Sequence, residues 1–221
     1  MFVVCTTNSV VTLVIHLVVN KVTQNPYLLA YIFKFTSCQT QLKLIKISGY
    51  FQYVIQYHIW KVKYQNLQIE EDKPSYTIAS VKPEEILRQI HFQEFLYLSV
   101  DIIKQLSISS YSYQQRSIIF QLERVFPNLI ALRLESFLFK GNEDYKYLRK
   151  IFPNLKKLYI KNCFADNSLT HPIISKDNLP REIFVQWPYL EELRIKHFKK
   201  YSIDGKMCPQ HVYVKNDLDK K

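Results

Sequence analysis

One phrase of twelve residues occurs three times in this chain and constrains its fold more than any bulk property. Residues 126–137 read FPNLIALRLESF, residues 152–163 read FPNLKKLYIKNC, and residues 187–198 read WPYLEELRIKHF. In each, an aromatic–Pro pair precedes the frame Leu-x-x-Leu-x-Leu/Ile. The frame falls at Leu129, Leu132, Leu134, then Leu155, Leu158, Ile160, then Leu190, Leu193, Ile195. The first two copies are 26 residues apart, and the same offset backwards lands on Ile103, Leu106 and Ile108, a fourth copy without the Pro. The last interval is 35. In Leu-x-Leu the apolar residues share one side of a short strand, because side chains alternate. The aromatic before Pro is pushed out of the helical region, so the pair stops whatever precedes it. What precedes it has helical spacing: Ile118, Ile119, Leu122, Val125 and Phe126 in one copy, Tyr145, Leu148 and Phe152 in the next. Each unit therefore reads as helix, stop, strand. Stacked units share a core that one alone cannot close.

A repeat of this length and frame resembles the leucine-rich repeat. The resemblance implies parallel strands on one face of the array and helices on the other. It also turns the ninth position of the frame inward to satisfy backbone groups at the bend. Cys163 holds that position in one copy, and Tyr111, Phe137 and Phe198 hold it in the others. The alternative is a one-layer α/β domain whose elements merely look alike. Upstream, Pro83-Glu84-Glu85 is expected to open a helix with a stripe of Ile86, Leu87 and Ile90. That helix would follow a strand at Leu67 and Ile69 in a degenerate first repeat. The acidic run Glu70-Glu71-Asp72 before Lys73-Pro74 reads as an exposed connection. Residues 165–180 form the insertion of the third repeat, with turn markers at His171–Pro172 and Leu179–Pro180. His211–Val214 would add a closing strand.

The N-terminal third reads differently. Residues 1–20 are apolar, with no charged group other than His16 in 2–19, and Val and Thr dominate. β-branched residues favour a buried lead-in segment, with a membrane anchor as the alternative. No basic residue precedes the stretch, which places a signal peptide last. Asn25–Pro26 then starts a helix, Asn as the cap and Pro at the first turn. Leu28, Leu29, Ile32, Phe33 and Phe35 follow. After a polar break at 36–40 come Leu42, Leu44, Ile45 and Ile47. Gly49 interrupts, and Phe51, Val54, Ile55, His58, Ile59 and Trp60 form a third segment.

Three short helices with Pro26, Leu29, Ile32–Phe33, Leu44, Ile47, Phe51 and Trp60 in this order resemble an F-box. Asn25 stands where that family commonly has Leu, and its first helix carries none of the usual acidic residues. Taken together, the resemblances imply an α/β chain: a short helical F-box-like module followed by a small leucine-rich-repeat array. Its parts would be an apolar lead-in (1–20), the module (21–67), the repeats (68–200) and a polar C-terminal cap (201–221). They imply the substrate-recognition subunit of an SCF-type (Skp1–cullin–F-box) ubiquitin ligase, cytoplasmic or nuclear. Pro26, Leu29, Ile32 and Phe33 would contact a Skp1-type adaptor, and the repeats would hold a target protein. The alternative is a leucine-rich-repeat interaction scaffold with no ubiquitin role.

Little else in the chain suggests chemistry. Three glycines, Gly49, Gly141 and Gly205, cannot build a phosphate loop or a dinucleotide fingerprint. The six histidines and four cysteines are dispersed without metal-ligand spacing. No local signature of a nucleophilic catalytic set occurs, so the expectation is a non-enzymatic chain without cofactor or metal. The formal charge of +11 comes from lysines scattered among apolar residues, with no nucleic-acid-binding motif. It reads as a solvated basic surface.

If the repeat frame is right, the residue between the two inward positions faces outward. This row is Ser107, Arg133, Tyr159 and Arg194, flanked by Gln105, Ala131, Lys157, Glu192 and by Ser109, Glu135, Lys161, Lys196. Arg133 and Arg194 on either side of Tyr159 would seat a carboxylate or phosphate of a partner.

Overall fold

In the computed structural model the chain is described over residues 21–110, 117–139, 142–165, 187, 189–201 and 207–215. The expectations for residues 1–20, Tyr111 and the insertion at 166–180 lie outside these. Two compact units divide the chain, Met1–Val62 and Lys63–Lys221. The division falls a few residues before the expected one at 67.

The described part of the first unit is helical. Asn25 Oδ1 accepts the backbone N–H groups of Tyr27 (3.0 Å) and Leu28 (3.2 Å), and Pro26 occupies the first turn of helix α1, Pro26–Phe33. Ser37 caps α2, Cys38–Ile45, which begins inside the expected polar break and buries Cys38, Gln41, Leu42 and Ile45. Ser48 caps α3, Gly49–Tyr53, so Gly49 lies in a first turn rather than interrupting a helix. The chain continues as a π-helical stretch, Val54–Trp60. Gln41, fully buried, joins the pieces: its amide donates to the carbonyls of Phe33 (2.9 Å) and Thr36 (3.1 Å), and its oxygen accepts Trp60 Nε1–H (2.6 Å). Each of its polar atoms is bonded, as burial requires.

The second unit is a mixed α/β domain with a mostly parallel sheet. Its strands are β1 (Asn66–Asp72), β2 (Ser75–Ile78), β3 (Glu85–Arg88), β4 (Gln105–Ser110), β5 (Ala131–Glu135), β6 (Leu138–Phe139), β7 (Lys157–Lys161), β8 (Phe164–Ala165), β9 (Glu192–Tyr201) and β10 (Met207–Lys215). They run in the order β3-β2-β1-β4-β5-β7-β9-β8-β6. β10 lies antiparallel on β9 and includes the expected 211–214. Helix α4 (Gln89–Ser99) follows β3, and α5 (Asn142–Ile151) precedes β7. Acidic residues in the first turn of α5 and basic ones in the last suit its dipole.

The register follows the recurring phrase. Leu106 pairs with Leu132, Leu132 with Leu158, and Leu158 with Leu193, all parallel. Leu67 and Ile69 pair with Leu106 and Ile108, so β1 is the first strand of the ladder. The loops repeat too. Asn128 Nδ2 donates to Asp101 O (2.7 Å), and Asn154 Nδ2 to Pro127 O (2.8 Å), the same bond one copy on. The ring centroids of Phe126 and Phe152 are 5.3 Å apart, and Trp187 Nε1–H donates to Phe152 O at 3.0 Å. The backbone turns through the left-handed region at Ser136 and Asn162, equivalent positions of two copies. Cys163 then points inward: its sulfur accepts Phe137 N–H (3.4 Å), and burial pushes its thiol up to about 12.

In the second unit three expectations fail. The helix expected from Pro83 begins at Gln89, because Glu85–Arg88 pairs with β2 as a strand. Its core face is Phe92, Phe95 and Leu96, while Ile86 and Ile90 are exposed. The helix expected to end at Phe126 is, in its described part, a 3-10 turn, Ile118–Gln121. Ile118, Ile119 and Phe120 are all buried, which no single face of an α-helix allows, and Leu122 is already extended. Finally, the acidic run at 70–72 is the end of β1, not a loop, and Glu71 is buried.

Candidate functional site

The first unit presents an apolar face on α1 and the turn that follows it. Tyr27, Leu28, Tyr31, Ile32 and Phe35 are 47–73% exposed and repeat at helical spacing. Edge-on contacts tie them together: Tyr31 with Phe35 at 5.4 Å, and Tyr27 with His58 at 5.2 Å. The Lys34 ammonium lies 4.0 Å from the Tyr31 ring centre. Of the four residues expected to contact an adaptor, Ile32 alone is exposed. Pro26 is half-buried, while Leu29 and Phe33 face inward, Phe33 against Phe51 at 5.2 Å. Helical spacing explains the correction: Leu29 and Phe33 are four apart and share the core side, which leaves Leu28 and Ile32 on the other. Residues 1–62 also hold five lysines and no Asp or Glu.

The second unit presents the outward row of its ladder. Arg133 pairs in register with Tyr159, and Tyr159 with Arg194, so the sheet brings the three expected residues together. The Arg194 guanidinium stands 5.4 Å from the Tyr159 ring centre. The seat is nevertheless different from the expected one, because the chain's own carboxylates fill it. Arg133 binds Glu135 (3.2 Å), and Arg194 Nε–H donates to Glu192 (2.5 Å). The Tyr159 hydroxyl donates to Glu192 as well (2.9 Å). Lys161 reaches Glu135 at 2.5 Å, and Lys157 stands 3.8 Å from Glu192. Partial burial disfavours each carboxylate, yet these donors outweigh it and hold both acids below their ordinary range. Two residues along each strand is the spacing of same-side neighbours, so the sequence puts each arginine and its glutamate on one side without showing that they pair.

Over this row lies an open trough of about 540 Å³, spanning β1, β4, β5, β7 and β9. Among the described residues its charged lining is Arg133, Lys161, Arg194 and Lys196, with no acidic side chain. Its other end is lined by Asn66, Gln68, Gln105 and Ser107. Among the described residues, no group of three or more His, Cys, Asp or Glu is placed to hold a metal ion. Nor is any described helix long and apolar enough to cross a membrane. No protein family, curated protein or solved structure matches this chain.

Proposed function

We propose that the chain is a recognition subunit that brings a target protein to a larger assembly and does no chemistry of its own. More particularly, it is the F-box-like, leucine-rich-repeat subunit of an SCF-type ubiquitin ligase. The helical unit docks on a Skp1-type adaptor and, through it, a cullin, while the ladder face holds the target. The observation that carries this reading is the pairing of two separately compact units. One is a small helical unit with an exposed aromatic–aliphatic face, and the other is a repeat ladder with an open, polar outer row. The docking face becomes Tyr27, Leu28, Tyr31, Ile32 and Phe35. Its acid-free, lysine-bearing surroundings suit a partner of opposite charge.

The burial of Leu29 and Phe33 favours the second reading, an interaction scaffold without a ubiquitin role. Co-purification of the full chain with a Skp1-type adaptor separates the two. The expected result is a stable complex that Ile32→Asp abolishes while circular dichroism stays unchanged. Undiminished binding by that variant rules out the α1 face. No binding by the unaltered chain rules out the ligase reading and leaves the scaffold.

A further inference from the structure

The trough over the ladder is electrically polarised, and this bears on what it holds. Among the described residues, its β1–β4 end is lined by the amides of Asn66, Gln68 and Gln105 and the hydroxyls of Ser80 and Ser107, without formal charge. The β5–β9 end carries the four cations. Glu135 is shared by Arg133 and Lys161, and Glu192 by Arg194 and Lys157, so each cluster keeps one positive charge after pairing. Lys161 stands directly opposite Lys196 in the parallel register, and Lys196 has no ion-pair partner among the described residues. Like charges facing each other across strands oppose sheet formation until an anion lies between them.

We propose that this trough binds an acidic segment of a partner protein, an extended run of Asp and Glu, with the carboxylates over β7 and β9 and uncharged polar residues over β1 and β4. The proposal rests on reading the ladder face as the target-holding surface. Spacing selects a run of carboxylates over a single phosphate. Strands lie about 4.8 Å apart and same-side residues about 7 Å along a strand, so the cations are spread rather than aimed at one point. Successive carboxylates of an extended chain have a similar spread. A single phosphate is held best by donors that converge on it, and here Arg133 and Arg194 are already turned to their own glutamates.

Fluorescence anisotropy tests this with the full chain and a labelled ten-residue Ser/Gly peptide ending in four glutamates. A Gln version of the peptide, a version with one phosphoserine in place of the glutamates, and a short oligonucleotide serve as comparisons. The acidic peptide is expected to bind, and the Gln version to bind at least about tenfold more weakly. Lys196→Gln, which leaves the Lys161–Glu135 pair intact, should weaken binding about threefold or more. Lys161→Gln together with Lys196→Gln should weaken it about tenfold. Gln105→Glu, at the uncharged end, should change it less than Lys196→Gln does. Equal binding of the Gln peptide, or no binding of the acidic one, overturns the proposal. So does an unaffected double variant, or tighter binding of the phosphoserine peptide or the oligonucleotide. Comparable losses from Gln105→Glu and Lys196→Gln overturn the polarity. Adaptor binding fails independently: a chain that takes the peptide but not the adaptor keeps the trough and loses the ligase reading.

Discussion

Glu71 occupies the third inward position of β1, where Leu67 and Ile69 put aliphatic side chains. One of its oxygens accepts Ser117 Oγ–H (2.7 Å) and Ile118 N–H (3.0 Å), which fastens the 3-10 turn to the strand. The other oxygen is buried without a partner among the described residues, as is the hydroxyl of Tyr76. Burial raises the Glu71 pKa above its ordinary 4.5, and the two donors and Lys73 only partly oppose the rise. Burial, with Glu71 nearby, pushes Tyr76 up to about 12. The sign of the linkage follows. The folded chain holds this proton more tightly than the unfolded chain, so stability falls as pH rises from 4.5 through the raised value. Glu135 and Glu192 act the other way. Their contribution is present above 4.5 and is lost as pH drops through their lowered values. Urea titrations across pH should therefore show Glu71→Gln reducing the fall above pH 4.5 while the acid limb below it persists. An unchanged slope above pH 4.5 would place the titration elsewhere.

Among the elements, β7 shows most plainly how the ladder is held. Leu158 is fully buried, in register with Leu132 on one side and Leu193 on the other. Leu158→Ala should cost about 2–5 kcal/mol in chemical denaturation, and a loss of a few tenths would mean the site collapses around the gap. The strands and their pairing were legible because the 26- and 35-residue offsets are the register itself. The Asn25–Pro26 helix start was legible because a cap and a first-turn Pro act locally. What was not legible depended on partners far along the chain. Ile86 and Leu87 carry no local mark that separates helix from strand, and pairing with Tyr76 and Thr77 decides the matter. Glu71 looked like loop because acids rarely face inward, and its partners lie forty-six and forty-seven residues away. At the trough, the sequence placed Arg133, Tyr159 and Arg194 in one row. It did not show that each arginine would turn to a glutamate on its own strand.

At the scale of the whole molecule, the two tryptophans divide neatly between the units. Trp60 is buried in the first, bonded to Gln41, and Trp187 in the second, bonded to Phe152. Trp187→Phe leaves an indole reporting on Met1–Val62, and Trp60→Phe leaves one reporting on Lys63–Lys221, in each case the unit not altered. Fluorescence in urea should give a lower midpoint for the first variant, because a smaller unit buries a smaller share of its surface. A common midpoint would mean that the chain unfolds as one. The ladder has a further consequence for how the chain is made. Along the path β1-β4-β5-β7-β9, each strand pairs with the one that leads the next repeat. A chain emerging from the ribosome N-terminus first can therefore add each strand to an edge already in place. During that interval the growing edge is bare, a template for unwanted pairing with a neighbouring chain. β10 runs antiparallel along β9 and covers that edge of the last parallel strand of the ladder.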